Sequence, residues 1–160
     1  MNPVHSSDFF RWLGLSAVII ASDQITKFLV MSVFQPGEML PITSFFNLVL
    51  VFNRGAAFSF LADAGGWQKW FFLLLAWGIS AWIIVMLRRC AAERLQPFAL
   101  SLVLGGAMGN VIDRLRFDAV ADFLDFHLMG VHWPAFNVAD SAITVGAILL
   151  LWHSFNDKKT

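Results

Sequence analysis

Two aspartates hold most of the chemical potential of this chain. Asp122 stands in Ala121-Asp122-Phe123, and Asp140 in Phe136-Asn137-Val138-Ala139-Asp140-Ser141, each at the edge of an apolar run. A charged side chain at the centre of a bilayer costs roughly 2.5–3.5 kcal/mol on insertion scales, so acids retained beside such runs point to a function. Two carboxylates at one site resist ionising together and share a proton. One can then act as general base on a water while the other, protonated, donates to a carbonyl oxygen or a leaving amine. This division of labour hydrolyses a peptide bond with neither a metal nor a covalent intermediate. Plainer roles exist beside it. Asp140 suits the first turn of a helix through the macrodipole, with Asn137 as its cap. Asp122 and Asp125 read equally as solvated loop acids, and Asp125 is an alternative to Asp122 in the pair.

Other polar groups interrupt the apolar segments. Asp23 and Lys27 lie four apart on one helical face, as a self-neutralising pair near the interface or as a support for the site. Asn53-Arg54-Gly55 has turn chemistry, and Asn53 and Arg54 either close that turn or donate to a substrate backbone. Asn110, Asp113 and Arg114 cluster on one side of a helix end, where Arg114 is expected to pair with Asp113 and hold it ionised. His127 and His132 have a poor helical metal spacing and read as surface or interfacial residues. No Gly-x-Ser-x-Gly, His-Glu-x-x-His or phosphate-loop pattern is present, and no metal or other cofactor is expected.

These residues need a scaffold, and the composition says which kind. Of 160 residues, 58% are hydrophobic and 14% are charged, against about a quarter charged in soluble domains. An integral membrane protein follows. The net charge is zero, so no global field draws in nucleic acid. Cys90 is the single cysteine, which excludes an internal disulfide and a multi-cysteine metal site. Apolar runs predict an all-α bundle of four transmembrane helices at about 12–33, 68–87, 98–115 and 137–153, each near the ~20 residues a span requires. A cleaved signal peptide is the rival reading of the first run, but no clear small-x-small site follows it. Between the first two helices, the insert at about 36–66 is too polar to span. Its alternation of Phe46, Leu48, Leu50 and Phe52 with Asn47, Val49, Val51 and Asn53 predicts a strand. A second strand is expected over Ala56–Phe60, giving a small sheet at the membrane surface. Pro97 closes a polar loop carrying Arg88, Arg89 and Arg94. Gly105 and Gly109 predict close helix packing. Four spans place both termini on one side, cytoplasmic by the positive-inside rule. The sheet and the acids then face the other side, and Trp12, Trp67, Trp70, Trp133 and Trp152 mark the interfaces. Short polar tails are expected over Met1–Phe9 and Asn156–Thr160, and the whole reads as one domain.

At these residues the chain resembles the bacterial lipoprotein signal peptidases, signal peptidase II. The matching blocks are Asp23-Gln-Ile-Thr-Lys27, Asn53-Arg-Gly-Ala-Ala-Phe58, Gly105-Gly-Ala-Met-Gly-Asn110-Val-Ile-Asp113-Arg114, Ala121-Asp122-Phe123 and Phe136-Asn137-Val-Ala-Asp140-Ser141. The resemblance implies an aspartic endopeptidase of the bacterial inner membrane. It would remove signal peptides from diacylglyceryl-modified prolipoproteins, cutting before the lipidated cysteine, and globomycin would block it. Asp122 and Asp140 would be the catalytic pair. Asn53, Asn110, Arg114 and Asn137 would position substrate or the pair, with Asp23 and Lys27 in support and Arg54, Gly55 and Asp113 beside them. Members of that family often have glycine in place of Asp118 and valine in place of Ala121; both positions precede Asp122, where the local turn has room to differ, and Asp118 adds an acid nearby. Membrane lipid is the other expected partner. Two other classes stand against this reading: a proton-coupled transporter or channel, and a non-catalytic membrane adaptor.

Overall fold

The computed structural model describes residues 6–55 and 67–157. Among the described residues are four helices long and apolar enough to cross a membrane and four short strands, two after the first helix and two before the last. They are α1 (Ser6–Val33), α2 (Trp67–Cys90), α3 (Leu95–Phe117) and α4 (Val138–Asp157); the strands are β1 (Met39–Pro41), β2 (Phe46–Asn53), β3 (Val120–Leu128) and β4 (Val131–His132). The helices outrun the expected spans. Ser6 to Phe9, read as tail, already belong to α1, and Asn156 and Asp157 belong to α4. Arg88 and Arg89 form the last turn of α2, and Pro97 sits in the first turn of α3, where its missing N–H has no partner to lose. The polar loop between them shrinks to residues 91–94.

The helix α3 is the hub. Within its apolar window 61% of residues are buried inside the protein, against 17–22% for the other three helices. Those three turn most of their surface outward, as Ile25, Phe28, Leu29, Leu74, Ile148 and Leu151 do, and lipid is the solvent for it. Without a hydrophobic force between helices in lipid, close packing takes over, and small residues permit it. A Cβ on Gly105 would lie 2.7 Å from Ile19 Cβ, and one on Gly106 would lie 2.3 Å from the Ala139 carbonyl oxygen. The second neighbour is backbone and has nowhere to go. Gly106→Ala is therefore expected to push α4 from α3 and to destabilise the fold by about 1–3 kcal/mol or more. A drop in the thermal unfolding temperature of the detergent-solubilised protein would show it; an unchanged temperature would contradict the close approach.

Trp12 departs from the interfacial role. It is buried among Ile83, Leu87, Cys90, Ala91, Leu100 and Leu104, and its indole N–H donates to the Ala91 carbonyl at 2.9 Å. Because α1 starts earlier than expected, this residue falls inside the bundle. Trp67, Trp70, Trp133 and Trp152 are exposed near element ends.

The sheet lies where α1 and α3 end and where α2 and α4 begin. Its order is β1-β2-β3-β4, antiparallel throughout. The expected strand Phe46–Asn53 is present as β2, while Ala56–Phe60 lies outside the described residues. The sheet also takes in β3 and β4 from the connector between α3 and α4. Sequence periodicity gave no sign of β3 because its first four residues are all buried, on both faces. The β2–β3 register shifts between Leu48 and Val51. That irregularity lets Asn47 meet Asp125 while Asn53 meets Asp122.

The turn from α3 into β3 is built on Asp118, whose φ of 58° is left-handed. A residue just past a helix end often adopts this conformation, which glycine tolerates best and aspartate tolerably. Asp118 thus takes up a turn conformation that glycine would adopt at lower cost. Its carboxylate pairs with Lys69 on the exposed side of the turn.

Candidate active site

The buried end of α3 explains how acids come to be tolerated here. Lys27 is 1% exposed and Asp23 and Asp113 are fully buried. The Lys27 ammonium donates to Asp23 Oδ2 at 2.8 Å, to Asp113 Oδ2 at 2.7 Å and to Asn110 Oδ1 at 3.1 Å. An ammonium has three hydrogens, and all three are used. The helical spacing of Asp23 and Lys27 therefore does make an ion pair, deep in the protein rather than at its edge. The expected Arg114–Asp113 pair does not form. Consecutive residues on a helix point about 100° apart, and Asp113 turns inward to Lys27. Arg114 instead donates to the carbonyls of Asn110 and Gly55, at 3.4 and 3.3 Å, and lies over the Phe72 ring at 5.0 Å.

Each carboxylate of this triad also grips backbone next to a candidate acid. Asp113 Oδ2 accepts the Ala121 N–H at 3.1 Å, one residue before Asp122. Asp23 Oδ1 accepts the Ala139 N–H at 2.9 Å, one residue before Asp140. Gln24, which the sequence reading passed over, completes the arrangement. Its amide donates to Asp113 Oδ1 at 2.9 Å, to Asp23 Oδ2 at 3.2 Å and to the Gly109 carbonyl at 3.2 Å. A polar residue beside Asp23 in a span was the available signal.

Three asparagines then orient the two acids. Asn110 accepts from Lys27 through Oδ1, which leaves its Nδ2 to donate to Asp140 Oδ1 at 2.8 Å. Asn137 caps α4: its Oδ1 accepts the Asp140 N–H at 2.9 Å, three residues on. The same side chain donates to Asp122 Oδ1 at 2.7 Å, so one residue is both helix cap and link between the acids. The capping role and the site role are thus compatible. Asn53 donates to Asp122 Oδ2 at 3.3 Å, and its own Oδ1 accepts the Gly55 N–H at 2.9 Å, an Asx turn that fixes the amide. Arg54 is exposed.

Asp122, from the third position of β3, and Asp140, from the first turn of α4, line one cavity of about 660 Å³. Asn53, Gly55, Asn110 and Arg114 share its polar end, and Phe72, Leu75, Ile79, Val103, Ile143 and Val145 its apolar floor. Trp133 to Phe136 form a wall that sequence did not suggest. Burial pushes the Asp122 carboxyl up to about 7, with the neighbouring Asp140 charge adding to it. The amides of Asn53 and Asn137 and the Lys27 charge pull the other way. A cavity that is greasy along one side, with a few convergent polar groups and a raised carboxyl, is the expected form of a binding site for an apolar ligand.

Asp125 does not join this group. By strand alternation it lies on the other face of β3, where it accepts from Asn47 at 2.7 Å and from His132 Nδ1 at 2.9 Å. No group of three His, Cys, Asp or Glu side chains suited to a metal is found among the described residues.

Comparison with known proteins bears on what these groups do. The family model for signal peptidase (SPase) II matches residues 15–156. A lipoprotein signal peptidase of Ralstonia nicotianae is 59% identical over 140 residues, covering 88% of this chain and 81% of that protein. One of Cupriavidus necator is 53% identical over 150 residues, covering 94% and 86%. A bacterial membrane enzyme solved by the in meso method at 2.3 Å resolution superposes with a TM-score of 0.83 at 29% identity, over 92% of this chain and 89% of that one. With a family model spanning nearly all of it and relatives above half identity across most of its length, the chain belongs to the signal peptidase II family, the lipoprotein signal peptidases.

Proposed function

We propose that this lipoprotein signal peptidase activates water between Asp122 and Asp140. The observation that carries the reading is the shared cavity: two carboxylates from separate elements, each oriented by an asparagine amide, face the same space. One carboxylate takes a proton from water as it attacks the scissile carbonyl. The other, protonated, donates to the carbonyl oxygen and then supports departure of the amine. Arg114 and Asn53 line the same cavity as the acids and are the groups available to hold the backbone of an extended peptide.

The substrate of this reading is a prolipoprotein whose cysteine carries diacylglycerol. Acyl chains hold such a cysteine at a fixed depth, by about 0.8 kcal/mol per buried methylene. The apolar floor between α2 and α4 suits those chains, and the bond before the cysteine then meets the acids. Arg11, Arg88, Arg89 and Arg94 lie at the end of the bundle remote from the acids. The positive-inside rule makes that end cytoplasmic and the site periplasmic. The family assignment sets the transporter and adaptor readings aside. The deciding experiment is incubation of the purified protein with prolipoprotein bearing or lacking diacylglycerol, with and without globomycin. Cleavage restricted to the lipidated form and stopped by globomycin is the expected result; equal cleavage of both forms would refute the substrate reading.

The raised Asp122 carboxyl gives a pH signature. The pair works with one proton between its members. As pH rises through about 7 that proton leaves, and kcat/KM is expected to fall by about tenfold per pH unit beyond. Stability changes in the same direction. An unfolded carboxyl titrates near ~3.9. Between there and about 7 the folded chain holds a proton that the unfolded chain has lost, so stability declines as pH rises across that window. Asp122→Asn removes this contribution. A cleavage rate flat from pH 6 to 9, with chemistry shown to be rate-limiting, would contradict the shared proton.

A further inference from the structure

The β3–β4 hairpin ends in an apolar tip that the rest of the described chain leaves uncovered. Met129 is 96% exposed, and Leu128, Val131, Phe45 and Ile42 are each at least half exposed. They make one patch. Leu128 and Val131 are register partners, so their side chains share a face. The His127 N–H donates to the Phe45 carbonyl at 2.9 Å, which brings the turn of Ile42 and Phe45 alongside. Folding alone does not account for these residue types. Met129 and Gly130 both have positive φ, 50° and 81°, in the kind of two-residue turn that favours asparagine or aspartate before glycine. A long apolar side chain in that left-handed conformation is strained, and leaving it open to water is a second cost. From Phe126 to Ala139 no Asp, Glu, Lys or Arg interrupts the segment.

We propose that this tip inserts into the bilayer at the active-site end of the bundle, with Leu128, Met129 and Val131 among acyl chains. The fold puts the tip within reach. Leu124 bridges Phe136, which directly precedes the Asn137 cap of α4, and four residues of strand carry the chain only about 13 Å farther, to Leu128. The Asn137 amide donates to Asn110 Oδ1 at 3.3 Å, and Asn110 lies about two helical turns before the α3 end at Phe117. The hairpin therefore springs from within the apolar length of the bundle rather than from above it. Lipid fits the patch better than a protein partner does. A protein interface surrounds its apolar centre with a polar rim, whereas this patch is bordered by Trp133, His127 and His132, amphipathic rings of the kind that settle at headgroup level. Insertion takes apolar surface out of water and desolvates no charge. It also fixes the depth of β4, which leads directly into Trp133–Phe136, the wall of the cavity. That wall is then held at the membrane from both sides, by the tip and by α4.

The test is a fluorescent bimane label on Met129→Cys, in full-length protein reconstituted into phosphatidylethanolamine and phosphatidylglycerol vesicles, with nitroxide-bearing lipid or aqueous iodide as quencher. Cys90 is buried, so it stays in place, and wild type carried through the same labelling gives the blank. Two labelled variants calibrate the scale: Ile148→Cys, exposed midway along α4, reports lipid, and Asn156→Cys, in the polar last turn, reports water. The label at position 129 is expected to be quenched by nitroxide lipid as strongly as that of Ile148→Cys, and by iodide about fivefold less than that of Asn156→Cys. Val131→Cys should agree with it. Iodide quenching equal to that of Asn156→Cys overturns the proposal. Protection from both quenchers overturns it as well, because protein rather than lipid then covers the tip. The readout involves no cleavage, so its outcome is independent of the roles given to Asp122 and Asp140.

Discussion

Asn in place of Asp122, or in place of Asp140, is expected to lower cleavage of lipidated prolipoprotein by about 10²–10⁴-fold, the range that a positioned acid or base contributes. The substitution removes little else. Asparagine has nearly the volume of aspartate, and its carbonyl oxygen still accepts from Asn137 at position 122 or from Asn110 at position 140, where the present bonds are 2.7 and 2.8 Å. What is lost is the capacity to take and return a proton. At position 140 the backbone N–H that Asn137 caps is untouched, so α4 still starts where it does. Both variants should therefore insert and unfold near the wild-type temperature, and thermal melts beside the cleavage assay check this. Asp125→Asn is the control, because that acid faces the other side of β3, and its cleavage should stay near wild type. Cleavage above a tenth of wild type in either variant of the pair would remove that residue from the proton-transfer step.

Much of this arrangement could be read from the residues alone, and the reasons differ by element. The four helices announce themselves because lipid demands long unbroken apolar runs. The ends were less legible, since Ser6 to Phe9 and Arg88 to Cys90 continue helices after the apolar pattern has stopped. The strand β2 was visible in its alternation. The strand β3 was not, since its early residues are buried on both faces and give no period of two. The acids themselves stood out as charges beside spans. Their partners were partly hidden: neighbours in sequence suggested Arg114 for Asp113, whereas the bond is to Lys27 from another helix, more than 80 positions away. Long-range ion pairs leave no local trace in one sequence. The histidines show the same limit. Five apart, they make no helical metal pair, yet a tight turn with positive φ at Met129 and Gly130 folds them into register.

The second large effect is expected at Lys27, which never meets the substrate. Lys27→Met should destabilise the fold by about 3–5 kcal/mol, the cost of leaving a buried charge without its partner. Two carboxylates, Asp23 and Asp113, would remain buried, with Asn110 Oδ1 losing a donor as well. The consequence for chemistry follows from what those carboxylates hold. Asp113 fixes the backbone of Ala121 and Asp23 that of Ala139, so the ammonium sets the position of both Asp122 and Asp140 from behind. Neutralising the whole cluster separates the two roles. In Lys27→Met combined with Asp23→Asn and Asp113→Asn no charge is left unpaired, and much of the stability should return, as when buried ion pairs elsewhere are replaced by neutral groups. Cleavage should not return with it. Asn110 Oδ1 then loses the ammonium and keeps only the longer bond from the Asn137 amide, at 3.3 Å, so its side chain is held less firmly and turns more readily to present oxygen rather than nitrogen to Asp140, where it repels the ionised carboxylate instead of donating to it. The triple variant is thus expected to melt close to wild type while kcat stays depressed by at least tenfold. A Lys27→Met protein with an unchanged melting temperature would show that the cluster is not held together by charge. A triple variant with wild-type kcat would show that the backbone bonds alone align the acids.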